Sequence, residues 1–168
     1  MMALRSLFEW VDTFPSSIVL RESGFWFPFL LTVHVVSMCL FAGLILMMDL
    51  RLWGIGNMKT PFSEVQRRLF PWQVTGFLVN AATGGILLYS QPMRYYTNVY
   101  FWVKAVMMAL AAVNAMAFHN STYLSVGKWD MSARLPFGAK MAAVTSITLW
   151  VFVIMAGRLI AYNWFTQY

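Results

Sequence analysis

The stretch FPFLLTVHVVSMCLFAGLILMMDLRLWG, residues 27–54, decides the class of fold. It is apolar for more than the ~20 residues that cross about 30 Å of hydrocarbon. His34 is its one interruption, because no other histidine, acid or basic residue lies between Glu22 and Asp49. An imidazole about a third of the way across a bilayer is costly without a partner, which makes His34 the first candidate for function.

Outward from this run the pattern recurs. Four spans are predicted, approximately 28–52, 72–90, 99–121 and 138–161. Pro28 suits the first turn of the first span, and Gly54 with Gly56 ends it. Thr60-Pro61 opens a short polar helix carrying Arg67 and Arg68, and Pro71 marks the bend into the membrane. Span two carries Gly76, Asn80 and Gly84 at four-residue spacing, a stripe that lets another helix backbone approach closely. Ala105, Ala109 and Ala112 have a similar role in span three, whose Lys104 snorkels toward the interface. The expected fold is all-α: an integral membrane four-helix bundle, one domain over residues 1–168, with a short N-terminal amphipathic helix.

Composition agrees with that class. Sixty per cent of the 168 residues are hydrophobic and 11% charged, more apolar surface than one soluble domain buries. The +6 net charge is therefore a topology signal first, and nothing resembles a nucleic-acid module. In MMALRSLFEWVDTF, residues 1–14, Arg5, Glu9 and Asp12 interrupt what a signal peptide keeps apolar, so retention of this segment is expected. Leu4, Leu7, Phe8, Val11 and Phe14 share a helical face, Ser6 with Glu9 fits a capping box, and Pro15 ends the helix. Cys39 is the single cysteine, which excludes an internal disulfide and reads as a small buried hydrophobe.

An even number of spans puts both termini on one side. The hairpin loops hold Arg51, Lys59, Arg67, Arg68, Lys128, Arg134 and Lys140; the terminal side holds Arg5, Arg21, Arg94, Lys104 and Arg158. Seven against five favours cytoplasmic loops and periplasmic termini in a bacterial inner membrane.

Two histidines in a helical bundle suggest a haem held by two imidazoles. Counted from the span centres, His34 lies roughly 8 Å toward the terminal side and His119 roughly 12 Å toward the loop side, too far apart for one iron. A haem b held by one histidine, by a histidine with one of the 13 methionines, or between chains is left, as is copper at His34 with Met38 four residues on or at His119 with Met116 three residues back. The plainer alternative hydrogen-bonds His34 to Asn80, Ser37 or Thr148. His119 falls at the level of Asp49, so a structural cluster of Asp49 and His119, joined by Arg51 or Lys140, is expected to anchor spans one and three. Asp49-x-Arg51-x-x-Gly54 alternatively shapes a loop-side surface serving two partners. Arg158 either snorkels or pairs with Glu22, and that pair would border a polar pocket lined by Trp26 and Trp150 near His34.

The stretch His34-x8-Gly43 resembles the first helix of copper-resistance D-type membrane proteins and related small bacterial four-span families. That resemblance implies haem or metal at the helix-one histidine, and only His34 matches. A longer pattern covers most of the chain: Asp49-x-Arg51-x-x-Gly54, Phe101-x-x-Lys104, Leu149-Trp150 and Gly157-Arg158-Leu159-Ile160-Ala161-Tyr162. It is similar to a group of uncharacterised bacterial integral membrane proteins, which brings no established activity.

The leading expectation is a small inner-membrane subunit or accessory of a redox or respiratory-type complex, with a haem, metal or quinone near His34. His34, Met38, Asn80 and Arg158 are its candidate cofactor residues; its neighbours are lipid and other membrane subunits or copies of itself. The alternatives are a structural or assembly subunit without cofactor and a small transporter, the latter disfavoured because one central ionisable residue offers no relay. No acid, base and nucleophile converge at one depth, which argues against an enzyme acting alone.

Overall fold

The computed structural model describes residues 2–56, 59–132 and 135–162. Among them every element is helical: α1 Met2–Asp12, α2 Pro15–Glu22, α3 Trp26–Trp53, α4 Phe62–Ser90, α5 Pro92–Tyr96, α6 Val99–His119, α7 Val126–Trp129 and α8 Phe137–Leu159. Short 3-10 turns precede α7 and follow α8. Three helical runs, those of α3, α6 and α8, are long and apolar enough to cross a membrane. The fourth long helix, α4, is more polar, with Glu64, Arg67 and Arg68 in its first turns and Gln73, Asn80 and Thr83 beyond. Arg134, one of the loop charges counted for topology, lies outside the described residues.

Helix α3 packs on α4 and on α8, and α8 packs on α6. The glycine stripe of α4 forms the α3 contact. A Cβ on Gly76 would stand 3.2 Å from the Cβ of Phe41, and one on Gly84 would stand 3.1 Å from Cε1 of His34. Gly76→Leu should therefore force the two helices apart, costing about 1–3 kcal/mol. Gly43 has no neighbour within 4 Å of such a Cβ, so Gly43→Leu is the matched control. Thermal unfolding in detergent should show a lower midpoint for the first variant than for the second; equal midpoints would refute the close approach.

Helix α6 departs from its expected small-residue face. Ala111 is the buried alanine, whereas Ala109 and Ala112 are exposed, and α8 contributes Ala139, Ala143 and Ala156 as its buried small residues. Asn114 of α6 donates to the Ala142 carbonyl of α8 at 2.9 Å, adding a polar tie.

The connections are more helical than expected. Pro71 does not mark a break: α4 runs through it, and Thr75 donates to the Pro71 carbonyl at 2.9 Å. Glu64 in the first turn of α4 accepts from Arg68 at 2.6 Å and from Arg67, and these bonds hold its carboxyl below the usual range. The capping box is also replaced. Helix α1 starts at Met2, so Ser6 lies inside it, and Glu9 pairs with Arg5 at 2.8 Å. Pro15 starts α2 rather than ending α1, as its fixed φ suits a first helical turn. Ser17 of α2 is fully buried and donates to the Tyr89 carbonyl at 2.8 Å, closing the end of α4. Leu4, Leu7 and Trp10 of α1 are exposed, and Phe8 meets Tyr96 at 5.2 Å between ring centroids.

At the loop end an apolar core joins Met48 and Leu52 of α3, Phe62 of α4, Phe118 of α6, Trp129 and Leu135 of the α6–α8 connection, and Ala139 and Ala143 of α8. Gly54 ends α3 at φ 97°, a left-handed turn that glycine adopts without a Cβ penalty. Cys39 is exposed, contrary to the expected burial, because it lies on a face of α3 that no helix covers.

Candidate functional site

Two polar centres lie at different depths along α4. The first surrounds His34. Its Nδ1 is 3.1 Å from the Asn80 carbonyl and 3.0 Å from the Thr83 hydroxyl. A carbonyl only accepts, and Thr83 gives its own proton to the Val79 carbonyl at 2.8 Å. Nδ1 therefore carries the imidazole proton, and Nε2 presents a lone pair. Asn80 returns the contact by donating to the His34 carbonyl at 2.9 Å and to Ser37 at 3.3 Å. Thr148 takes no part, because it bonds Val144 in its own helix.

Lys104 of α6 stands within electrostatic range of His34. Its Nζ lies 3.7 Å from where a Cβ would stand on Gly157 of α8, and it has no hydrogen bond or ion pair among the described residues. The sequence places Lys104 near the interface; no single-helix pattern shows that it comes within electrostatic range of His34. Met38 is half-buried one turn from His34, while Met116 near the second histidine is exposed.

The expected tie between Arg158 and Glu22 is absent. Both are exposed; Arg158 donates to the Tyr162 hydroxyl at 3.2 Å and stacks over that ring at 5.4 Å. The reason is placement: α2, ending at Glu22, packs on α3 and α4, whereas Arg158 ends α8, whose neighbours include α3 and α6. Trp26 and Trp150 sit in different surroundings. Trp26 is 57% exposed among Phe25 and Phe29, and Trp150 packs on Phe41.

The second centre holds Asp49. It is 7% exposed on α3, Ser146 of α8 lies close to its carboxyl, and Oδ2 has no hydrogen-bonding partner among the described residues. Asp49 and His119 do line one cavity, of about 340 Å³, but the residue that reaches His119 is neither Arg51 nor Lys140. Gln66 of α4 meets Nε2 of His119 at 2.9 Å, while Nδ1 faces the Ala115 carbonyl at 2.9 Å. His119 thus ties α6 to α4 rather than to α3. Arg51, two residues beyond Asp49, points the other way. Its guanidinium donates to the carbonyls of Thr60 at 3.1 Å and Asp130 at 3.4 Å, and Lys140 is exposed. Asp130, which sequence did not single out, also accepts from the Ser63 amide at 2.8 Å and caps α4 from another segment.

The two histidines contact α4 at Asn80 and at Gln66, fourteen residues apart, or roughly 21 Å along a helix. One iron cannot take both. No group of three or more His, Cys, Asp and Glu converges among the described residues. At His34 a Cβ on Gly84 would stand 3.1 Å from the ring, and the soft donors the sequence offers there are the imidazole lone pair and Met38 one turn on.

Apolar helices of spanning length with polar groups set between them define a multi-pass integral membrane protein. The chain belongs to DUF6644, a family of unknown function, matched over residues 7–163. No curated protein and no solved structure matches it, so the likeness of its first helix to copper-resistance D-type proteins gains no support.

Proposed function

We propose that this protein is a small membrane subunit that holds the headgroup of a lipid-soluble carrier of the quinone and quinol class at His34 and Lys104, as an accessory of a redox-type membrane complex. One observation carries the reading: an imidazole whose proton is directed at Asn80, which leaves its Nε2 lone pair free, with the Lys104 ammonium, unpaired among the described residues, within electrostatic range of the ring. The lone pair accepts from a quinol hydroxyl, and the ammonium donates to a quinone carbonyl. Haem b and copper are less well served, because each asks for further ligands that His34 and Met38 do not supply.

In this reading residues 72–90 of α4 form a fourth crossing. They rise roughly 28 Å, and Asn80 meets His34 at a shared depth. Both termini then lie on one side, and the excess of basic residues assigns the hairpin loops to the cytoplasm of a bacterial inner membrane. The rings and aliphatic side chains exposed along α3, α4, α6 and α8 face lipid or neighbouring subunits.

A structural role for His34 is the competing reading, favoured by its reciprocal bonds with Asn80, which tie α3 to α4. Titration of the protein in lipid nanodiscs with decylubiquinone, followed by tryptophan fluorescence, separates the two. Saturable binding is expected, weakened about tenfold or more by His34→Phe and by Lys104→Met, with the melting temperature of Lys104→Met unchanged. Absence of saturable binding, or a Lys104→Met variant that binds as well as the parent, removes the carrier site.

A further inference from the structure

The Asp49 cavity is a separate site from the one at His34. It is bounded by all four long helices, with Phe41 and Asp49 from α3, Phe77 from α4, Met108 from α6, and Ser146 and Trp150 from α8. Helices α4 and α6 close on each other at the loop end, where Phe62 meets Phe118 and Gln66 meets His119, and they are not packed together along their length. Phe70, Val74, Phe77 and Met108 are exposed along this opening, so an apolar molecule can enter sideways from the hydrocarbon.

Besides the Ser146 hydroxyl and the Trp150 indole N–H, the polar side chains lining the cavity leave acceptors toward it. Gln66 directs its amide nitrogen to His119, Gln73 to the Leu44 carbonyl at 3.3 Å, and Asn114 to the Ala142 carbonyl. Their side-chain oxygens remain, and Gln66 Oε1 is buried with no hydrogen-bonding partner among the described residues, as is Asp49 Oδ2. Among the described residues no lysine or arginine lines the cavity, and Arg51 is turned toward Thr60 and Asp130. A carboxyl 93% removed from solvent, beside unfilled acceptors and without a cation, is complementary to a donor that brings positive charge.

We propose that the cavity between α4 and α6 binds a compact aromatic or alicyclic molecule bearing a protonated amine, with the ammonium on Asp49 and the apolar body against Phe41, Phe77 and Trp150. The volume selects a small molecule over a helix of a partner chain. About 340 Å³ falls at the lower end of ligand pockets, whereas three turns of helix occupy roughly 1,000 Å³.

The test compares 2-(1-naphthyl)ethylammonium with its neutral analogue 2-(1-naphthyl)ethanol by calorimetric titration of the full chain in detergent. The parent is expected to bind the ammonium at least about tenfold more tightly than the alcohol. Asp49→Asn should abolish that preference while still binding the alcohol, and Ala112→Phe, which fills the cavity from α6, should lose both. His34→Phe should bind both as the parent does, so failure of the carrier site leaves this result intact. Equal affinities in the parent, a preference that survives Asp49→Asn, or no saturable binding each overturn the proposal. Should Asp49→Asn fail to fold, the preference in the parent and its loss in Ala112→Phe still decide.

Discussion

Phe62→Ala is expected to destabilise the protein by about 3–5 kcal/mol, among the largest effects available to a single substitution here. Phe62 is 1% exposed, and its ring lies 5.7 Å from Trp129, 6.2 Å from Phe118 and 6.2 Å from Tyr123. Those three rings come from α6, from α7 and from the turn between them, so one side chain joins the start of α4 to the whole α6–α8 connection. Truncation loses the transfer free energy of the ring and leaves a void that neighbours on separate helices cannot fill together. The void would also merge with the cavity that Phe62 lines, loosening its loop-side wall. Unfolding by increasing SDS mole fraction measures the loss, with Phe62→Leu expected to fall between parent and Phe62→Ala. A loss below about 1 kcal/mol would mean that the aromatic cluster does not hold α4 in place.

Arg51→Met is expected to cost about 2–4 kcal/mol, because hydrogen bonds from a charged donor contribute about 1.5–3 kcal/mol each and the lost partners are partly buried carbonyls. Arg51 is 3% exposed and reaches Thr60 and Asp130 at once, joining the end of α3 to both connections. Arg51→Lys should recover little, since a single ammonium cannot reproduce the planar fork. Asp130→Ala removes the cap on Ser63, and its effect should not add to that of Arg51→Met, because both act on the same junction. Additive losses in a double-mutant cycle, read by the same SDS titration, would show instead that the two residues act independently.

These residues mark where sequence reasoning succeeds and where it stops. The spacing of Gly76, Asn80 and Gly84 is a property of one helix, and it identifies a face that another helix approaches before any partner is known. The partner proved to be α3, at Phe41 and His34. Asp130 offered no such signal: an acid in a connecting segment looks solvated until the fold carries it to the amide of Ser63. Lys104 likewise looked like an interface residue, because nothing within α6 indicates that its side chain packs against Gly157 of α8 within electrostatic range of His34. Pro71 misled for a different reason. Its missing N–H argues for a break, yet α4 continues through it.

Sequence alone determined the apolar helices, the wide separation of the two histidines along them and the polar character of His34, since these follow from length, rise per residue and the cost of a polar group in hydrocarbon. It could not choose the faces that meet. A membrane helix is apolar both toward lipid and toward its neighbours, so periodicity does not separate inside from outside as it does in water. Only the tertiary structure brought Asp49 beside Ser146, turned Arg51 away from it, and left a cavity lined by the unpartnered acceptor oxygens of Asp49 and Gln66.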